Sequence, residues 1–374
     1  MKTRSFLMTT LCALMMGMGW VSCDNEEYGP LDIPAPETSI HATFILNEGL
    51  WGANNAGIAA HFVTTIDGKE NQKFIGNYYE QANSKKMGDL ANAMMKEDDK
   101  IYVILGGSKY VAKLDLYCNE EGRYAFPEGE GEPRCIDVED DYAYVTQHGG
   151  KVSKLNTKDM TLAGTFEGGD NLEGIVEKDG KLYVANAWKI DGSNNYIYNK
   201  EIWVIDAKTM TQTGTISVVD NPVNMYEIND KIYVISQGNY YDVQAALQVI
   251  DVKAGTSKFI ANDVDKITEG HNGLIYGVKS TYDENWNTIN SFFTYNPKDG
   301  TVNETSFLQD APSALSSTAI YLLEVDEGNG FIYVGTSDYV NSGTIYQFDK
   351  NGKLIQSFDS GGINPSAMIF IDRS

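Results

Sequence analysis

Hydrophobic and polar positions follow one recurring phrase along this chain: a polar turn, an apolar β-rich run, then a polar loop. Residues 230–238, DKIYVISQG, state it most clearly. The phrase returns as DKIYVILGG at 99–107, DYAYVTQHG at 141–149, GKLYVANAW at 180–188, NGLIYGVKS at 272–280 and NGFIYVGTS at 329–337. A degenerate first copy, TFILNEG, occupies 43–49 and makes seven. The marker tyrosines Tyr102, Tyr144, Tyr183, Tyr233, Tyr276 and Tyr333 recur every 39 to 57 residues. A strand-rich period of roughly 40–50 residues predicts a β-propeller with about four strands per blade.

A short strand precedes most copies, at 90–95, 135–138, 172–176, 223–228 and 319–325. A last such strand, 367–371 (AMIFI), has no copy after it, and the first copy has none before it. The expected solution is an all-β, seven-bladed ring in which 367–371 becomes the inner strand of the first blade. Closure of this kind removes the sheet edges that invite aggregation. Helical periodicity is hard to find after residue 40, so almost no helix is expected.

The start of the chain reads as an address. Lys2 and Arg4 precede an apolar run, 6–20, too short and wrongly flanked for a stable membrane span. The run ends in Val21-Ser22-Cys23, followed by Asp24-Asn25-Glu26-Glu27. This resembles a bacterial lipoprotein signal, in which the Cys becomes the acylated first residue. Trp20 departs from that pattern, which has a smaller aliphatic residue there, and a soluble exported protein cleaved nearby is the alternative. Lipidation of Cys23 accounts for a Cys at the end of the run and would hold the protein on a membrane. The acidic residues after it resemble the signal that sends Bacteroidetes lipoproteins to the outer face of the outer membrane. The expected domains are a signal peptide at 1–22, a tether at 23–39 kept extended by Pro30, Pro34 and Pro36, and the propeller at 40–374.

The formal charge is −23, and loss of Lys2 and Arg4 with the signal makes it −25. So acidic a chain is a poor partner for nucleic acid or anionic lipid. Cys118 and Cys135 remain after processing, and the expectation is two thiols rather than a disulfide.

The turns before each IYV run and after each third strand are short and alike, and both sets fall on one face. The loops after the IYV runs fall on the other face and are long and dissimilar: 47–57, 186–200, 236–246, 279–291 and 336–343, with shorter ones at 106–110 and 147–150. Individual loops on a rigid scaffold are where binding residues sit. Their aromatics and polar groups nominate a ligand site of Trp51, Asn54, Tyr110, His148, Trp188, Tyr196, Tyr240, Tyr241, Tyr282, Trp286 and Tyr339. The same loops are rich in Asn, which suits an amide- or hydroxyl-decorated ligand but serves turns equally well.

No nucleophile motif, phosphate-cradling Gly loop or His spacing for a metal is present. One enzyme reading stays open: Glu48, Asn92, Glu173 and Asn224 could ligate a channel cation, as in propeller lactonases. The same groups serve equally as channel lining around water. We expect a binding protein, with no catalytic or metal residues and no resident cofactor.

The repeat resembles the YncE-like seven-bladed propellers. The opening Phe44-Ile-Leu-Asn-Glu-Gly49, continued by Trp51-Gly-Ala-Asn-Asn55, is similar to the start of Bacteroidetes surface propeller lipoproteins of the BtuG type. The resemblance spans residues 23–374. It implies capture of cobalamin and transfer to a TonB-dependent transporter, and related propellers capture ferric siderophores. Capture of haem, or docking of a glycan or protein, is a further alternative. The face offers Lys85, Lys86, Lys109, Arg134, Lys189, Lys200 and Lys279 on a strongly acidic protein, which suits a nearly neutral corrin better than an anionic siderophore.

Overall fold

The computed structural model describes residues 38–373, which fold as seven four-stranded antiparallel sheets arranged as a propeller. The signal, Cys23 and most of the tether lie outside the described residues. Among those described, no helix is long and apolar enough to cross a membrane.

Each IYV phrase is the second strand of a blade. In Lys231–Ser236, every residue after Lys231 is buried. Both faces of a blade pack against neighbouring blades, so this strand needs apolar residues on both sides, and its pattern is continuous rather than alternating. Val176, Tyr183, Ile202, Ile232, Val234 and Ile250 form one such core between the fourth and fifth blades. The tight turns that precede these strands hold Asp98, Asp140, Asp179 and Asn229 in the left-handed region, which Asp and Asn tolerate better than other side chains.

The ring closes as the sequence predicts. Pro365–Arg373 is the inner strand of the first blade and pairs antiparallel with Thr38–Asn47, with Ala42 opposite Ile371 and Phe44 opposite Ile369. Ile45, Ala59, Leu322, Tyr333, Ile345 and Met368 pack the seam between last and first blades. His41 joins it, with Nδ1 2.7 Å from Asp372 and Nε2 3.2 Å from Asp326.

Three features were not announced by the repeat. The sixth blade has an inner strand, Val264–Glu269, whose VDKITE pattern carries little apolar signal. Its outer strand is only Val302–Asn303, and a one-turn helix, Ala314–Ser317, packs on the third strand instead. Asn290 fixes that helix by donating to the carbonyls of Leu315 (3.0 Å) and Thr318 (2.8 Å). A second short helix, Tyr78–Asn83, crosses from the first blade to the second. Cys118 and Cys135 are not bridged.

Candidate functional site

Two of the expected long loops are β-hairpin arms. In the fourth blade, Lys181–Ile190 and Tyr196–Asp206 stay paired up to Ile190 opposite Tyr196, well beyond the end of the outer strand at Glu201 opposite Ser217. In the sixth, Ile275–Tyr282 and Thr288–Tyr295 stay paired to Tyr282 opposite Thr288, past the last inner-strand pair at Lys279. Trp188, Tyr196 and Tyr282 therefore stand on strands. Cross-strand pairing puts Trp188 with Tyr198, and Ile190 with Tyr196, on one face of the first arm.

The arms and the compact loop of the fifth blade build an aromatic arc. His148 lies 5.4 Å from Trp188, which lies 5.3 Å from Tyr196; Tyr196 stacks on Tyr198 at 6.3 Å, and Tyr198 meets Tyr240 at 5.6 Å. Tyr282 and Trp286 pair at 6.2 Å on the second arm, and Tyr339 packs on Tyr321 at 5.8 Å in the seventh blade. A cavity of about 380 Å³ opens between the fourth and fifth blades, walled by Trp188, Tyr196, Tyr198 and Tyr240 and floored by Arg134 and Glu173. A broader trough of about 830 Å³ follows between the fifth and sixth, lined by Tyr240, Tyr241 and Tyr282. Tyr241 and Trp286 remain almost wholly in solvent, at 95% and 82% exposure.

The loops are rigid by local chemistry. Asp283 accepts from the backbone N–H of Asn285 and Asn287, both at 2.8 Å, and from the Asn287 amide at 2.9 Å. Asp191 and Asp338 do the same for their own loops, and Asn239 Oδ1 accepts three successive N–H groups. These bonds hold the carboxyls low; the N–H and amide of Asn341 bring Asp338 to about 2. Inside the turns Tyr240, Trp286 and Tyr339 have φ of 59°, 64° and 62°. Bulky side chains rarely accept that conformation, and such strain persists where the surroundings over-determine it.

The structure corrects two expectations. Tyr110 begins the strand Tyr110–Asp115 and is 5% exposed, its hydroxyl donating to the Met87 carbonyl and its ring under the Arg123 guanidinium at 3.9 Å. Its position just after GGSK reads as loop, but the strand starts there, and it belongs to the core rather than the site. The Asn residues are largely spent inside the loops, as in Asn195, Asn239, Asn287 and Asn341, rather than held out as ligand donors. Trp51 is exposed, apart from the arc, and Asn54 lines a separate cleft of about 190 Å³ with Tyr79 and Lys86.

Charge around the arc is paired. Arg134 Nε donates to Glu173 at 3.0 Å, Lys189 faces Asp170 at 3.8 Å, Lys200 faces Asp220 at 3.3 Å and Lys279 faces Glu304 at 2.6 Å. Farther round, Lys85 meets Glu120 at 3.0 Å and Lys109 donates to the Glu130 carbonyl at 2.7 Å. Of the four channel groups nominated for a cation, the two glutamates are engaged, while Asn92 Oδ1 is buried without a hydrogen-bond partner. Glu173 takes both Arg134 and His148, the latter at 2.9 Å; burial pushes its carboxyl up, but those two partners hold it below the ordinary range. Glu48 accepts from Tyr321 at 2.5 Å, and burial raises its carboxyl despite that bond. Among the described residues no group of three or more His, Cys, Asp or Glu is placed to hold a metal ion. Arg134 was read in the sequence only as one cation of the face, and Tyr321 escaped that reading because it lies near the start of an inner strand.

No protein-family model and no curated protein sequence matches the chain. Solved structures do. Hydrazine synthase of Kuenenia stuttgartiensis superposes with a TM-score of 0.56 at 16% identity over 70% of this chain and 77% of that one. Apo AztD from Citrobacter koseri superposes with a TM-score of 0.51 at 11% identity over 88% and 83%. At these identities the likeness is one of fold.

Proposed function

We propose that the long-loop face captures a bulky, flat and largely uncharged ligand of the corrinoid class, cobalamin being the leading member. In this reading lipid on Cys23 holds the protein at the outer surface of the outer membrane, and the ligand passes to a TonB-dependent transporter. The observation that carries the ligand class is the combination of a rigid aromatic arc with cations that are already paired. Flat apolar surface binds by stacking and area burial. An anionic ferric siderophore would have to compete with Glu173, Asp170, Asp220 and Glu304 for the basic groups that it needs. A metal-dependent lactonase is disfavoured by the same pairing, because Glu173 would have to leave two partners to ligate a cation.

Isothermal titration of the purified protein with cyanocobalamin tests the proposal, with a ferric catecholate complex in parallel. We expect saturable binding to cyanocobalamin at micromolar Kd or tighter. Absence of binding at that concentration, or tighter binding of the siderophore, refutes it.

A further inference from the structure

We infer that His148 is an axial ligand to the metal of the captured macrocycle, binding through Nδ1. This rests on the corrinoid reading above and deepens it. His148 sits in a short loop pinned from several sides. Its N–H donates to the Glu132 carbonyl at 2.9 Å, and the N–H of Gly149 donates to Asn171 at 3.2 Å. The backbone of Gly131 approaches so closely that a Cβ there would stand 1.6 Å from the His148 carbonyl oxygen.

The ring is fixed as well. Nε2 lies 2.9 Å from Glu173 Oε1, and Glu173 Oε2 accepts from Arg134 Nε at 3.0 Å. A carboxylate paired with a guanidinium accepts, so Nε2 is the donor in this contact, and Nδ1 is the ring nitrogen left to meet a metal. Among the described residues Nδ1 has no hydrogen-bond partner, and the side chain keeps 22% of its surface exposed. Metal-bound histidines almost always donate their other ring N–H to a carboxylate or carbonyl, which fixes the tautomer and strengthens the donor. The other histidines are placed differently: both nitrogens of His41 meet carboxylates, His61 is 8% exposed, and His271 lies at the short-turn end of the sixth blade.

A free metal ion would need several side chains. A metal that brings four equatorial nitrogens of its own needs one. Trp188 stands at 75° to the imidazole. An axial imidazole is perpendicular to its macrocycle, so this angle allows a macrocycle and the indole to lie along one another. Binding is a ligand substitution. The metal–water bond breaks, the metal–Nδ1 bond forms, and the water leaves with both its protons; no electron is transferred.

The test is the visible spectrum of aquocobalamin on adding the protein, with haemin as a second probe and cyanocobalamin binding measured calorimetrically beside them. The wild-type protein is expected to shift the aquocobalamin bands as imidazole replaces water. His148→Ala and His148→Gln are expected to abolish the shift, with thermal melts reporting that both variants are folded. Glu173→Gln is expected to weaken aquocobalamin binding by about 10- to 100-fold. A haemin shift with neither an aquocobalamin shift nor cyanocobalamin binding would keep the axial role and overturn the corrinoid reading. Cyanocobalamin binding with an unshifted aquocobalamin spectrum, or an equal shift in both His148 variants, overturns the inference and leaves the capture reading standing. Binding of no probe overturns both.

Discussion

Glu120→Gln is a direct test of how the first two blades are joined. Glu120 opens the outer strand Glu120–Ala125 of the second blade, yet it accepts from Tyr79 on the crossing helix at 2.5 Å. It also takes Arg123 at 2.7 and 2.6 Å and Lys85 at 3.0 Å. Burial pushes its carboxyl up, but the bonds from Arg123, Tyr79 and Lys85 outweigh burial and hold it at about 2. Against an ordinary value near 4.5, that is about 3 kcal/mol by linkage. Arg123 and Lys85 are 34% and 46% exposed, so solvent screening brings our figure to about 2 kcal/mol. A ring of roughly 340 residues unfolds with about 0.7 kcal/mol/K of entropy, so the expected fall in Tm is about 3 °C. The pH dependence carries the sign. The folded pKa is depressed, so the stabilisation is complete above about 4.5 and is lost as pH falls through about 2. Calorimetric melts of wild type and Glu120→Gln should differ by a constant amount from pH 7 to about 5 and converge toward pH 2.5. A difference below about 0.5 kcal/mol at pH 7, or one unchanged at pH 2.5, would refute the reasoning.

Other outcomes follow from the same geometry. Tyr110→Phe removes the bond to Met87 and should cost about 1 kcal/mol in denaturant melts without changing ligand affinity. Trp188→Ala should do the reverse, weakening cyanocobalamin by roughly 30-fold or more in calorimetry, as expected of an anchor worth about 2 kcal/mol. Trp286→Gly relieves a left-handed tryptophan and should raise stability by about 1 kcal/mol while lowering affinity. Burial pushes the carboxyls of both Asp137 and Glu324 up to about 7. Raised carboxyl pKa values mean that the folded state binds the extra protons, so stability should fall as pH rises from about 5 to about 8. Asp137→Asn with Glu324→Gln should flatten that slope in thermal melts.

The ring was legible because its second strands are buried on both faces. A strand that must be apolar throughout, followed by a polar turn, repeats visibly even when no residue is fixed; Ile232 to Ile235 and Ile101 to Leu105 are two statements of one requirement. The closing strand was legible by elimination, since 367–371 had no following copy. Val264–Glu269 was hidden because an inner strand borders the channel and tolerates Asp265, Lys266 and Thr268. The arms were hidden for a related reason. Polar and aromatic residues in solvent read alike whether strand or loop, and only the register of Trp188 with Tyr198 decides between them. Tyr110 was misplaced by a single turn residue, because Lys109 at φ 52° ends the loop one position before the core begins.

The aromatic arc and the paired charges bear on one question, which is what the face has given up in order to bind. A flexible loop pays ordering entropy when a ligand arrives, and that loss is subtracted from affinity. Here the ordering is done in advance. Asp191, Asp283 and Asp338 are spent on their own loops, Asn239 on a fourth, and Tyr240, Trp286 and Tyr339 are held in a conformation they disfavour. The cations are treated alike, since Arg134, Lys189, Lys200 and Lys279 are neutralised before any ligand appears. A face built in this way discriminates by shape and stacking, and it penalises a charged competitor by the ion pairs that the competitor must break. His148 departs from this pattern, being fixed through Nε2 while Nδ1 has no partner among the described residues. On a face where the cations are already paired, a ring nitrogen left free to meet a metal is the group most able to tell one flat ligand from another.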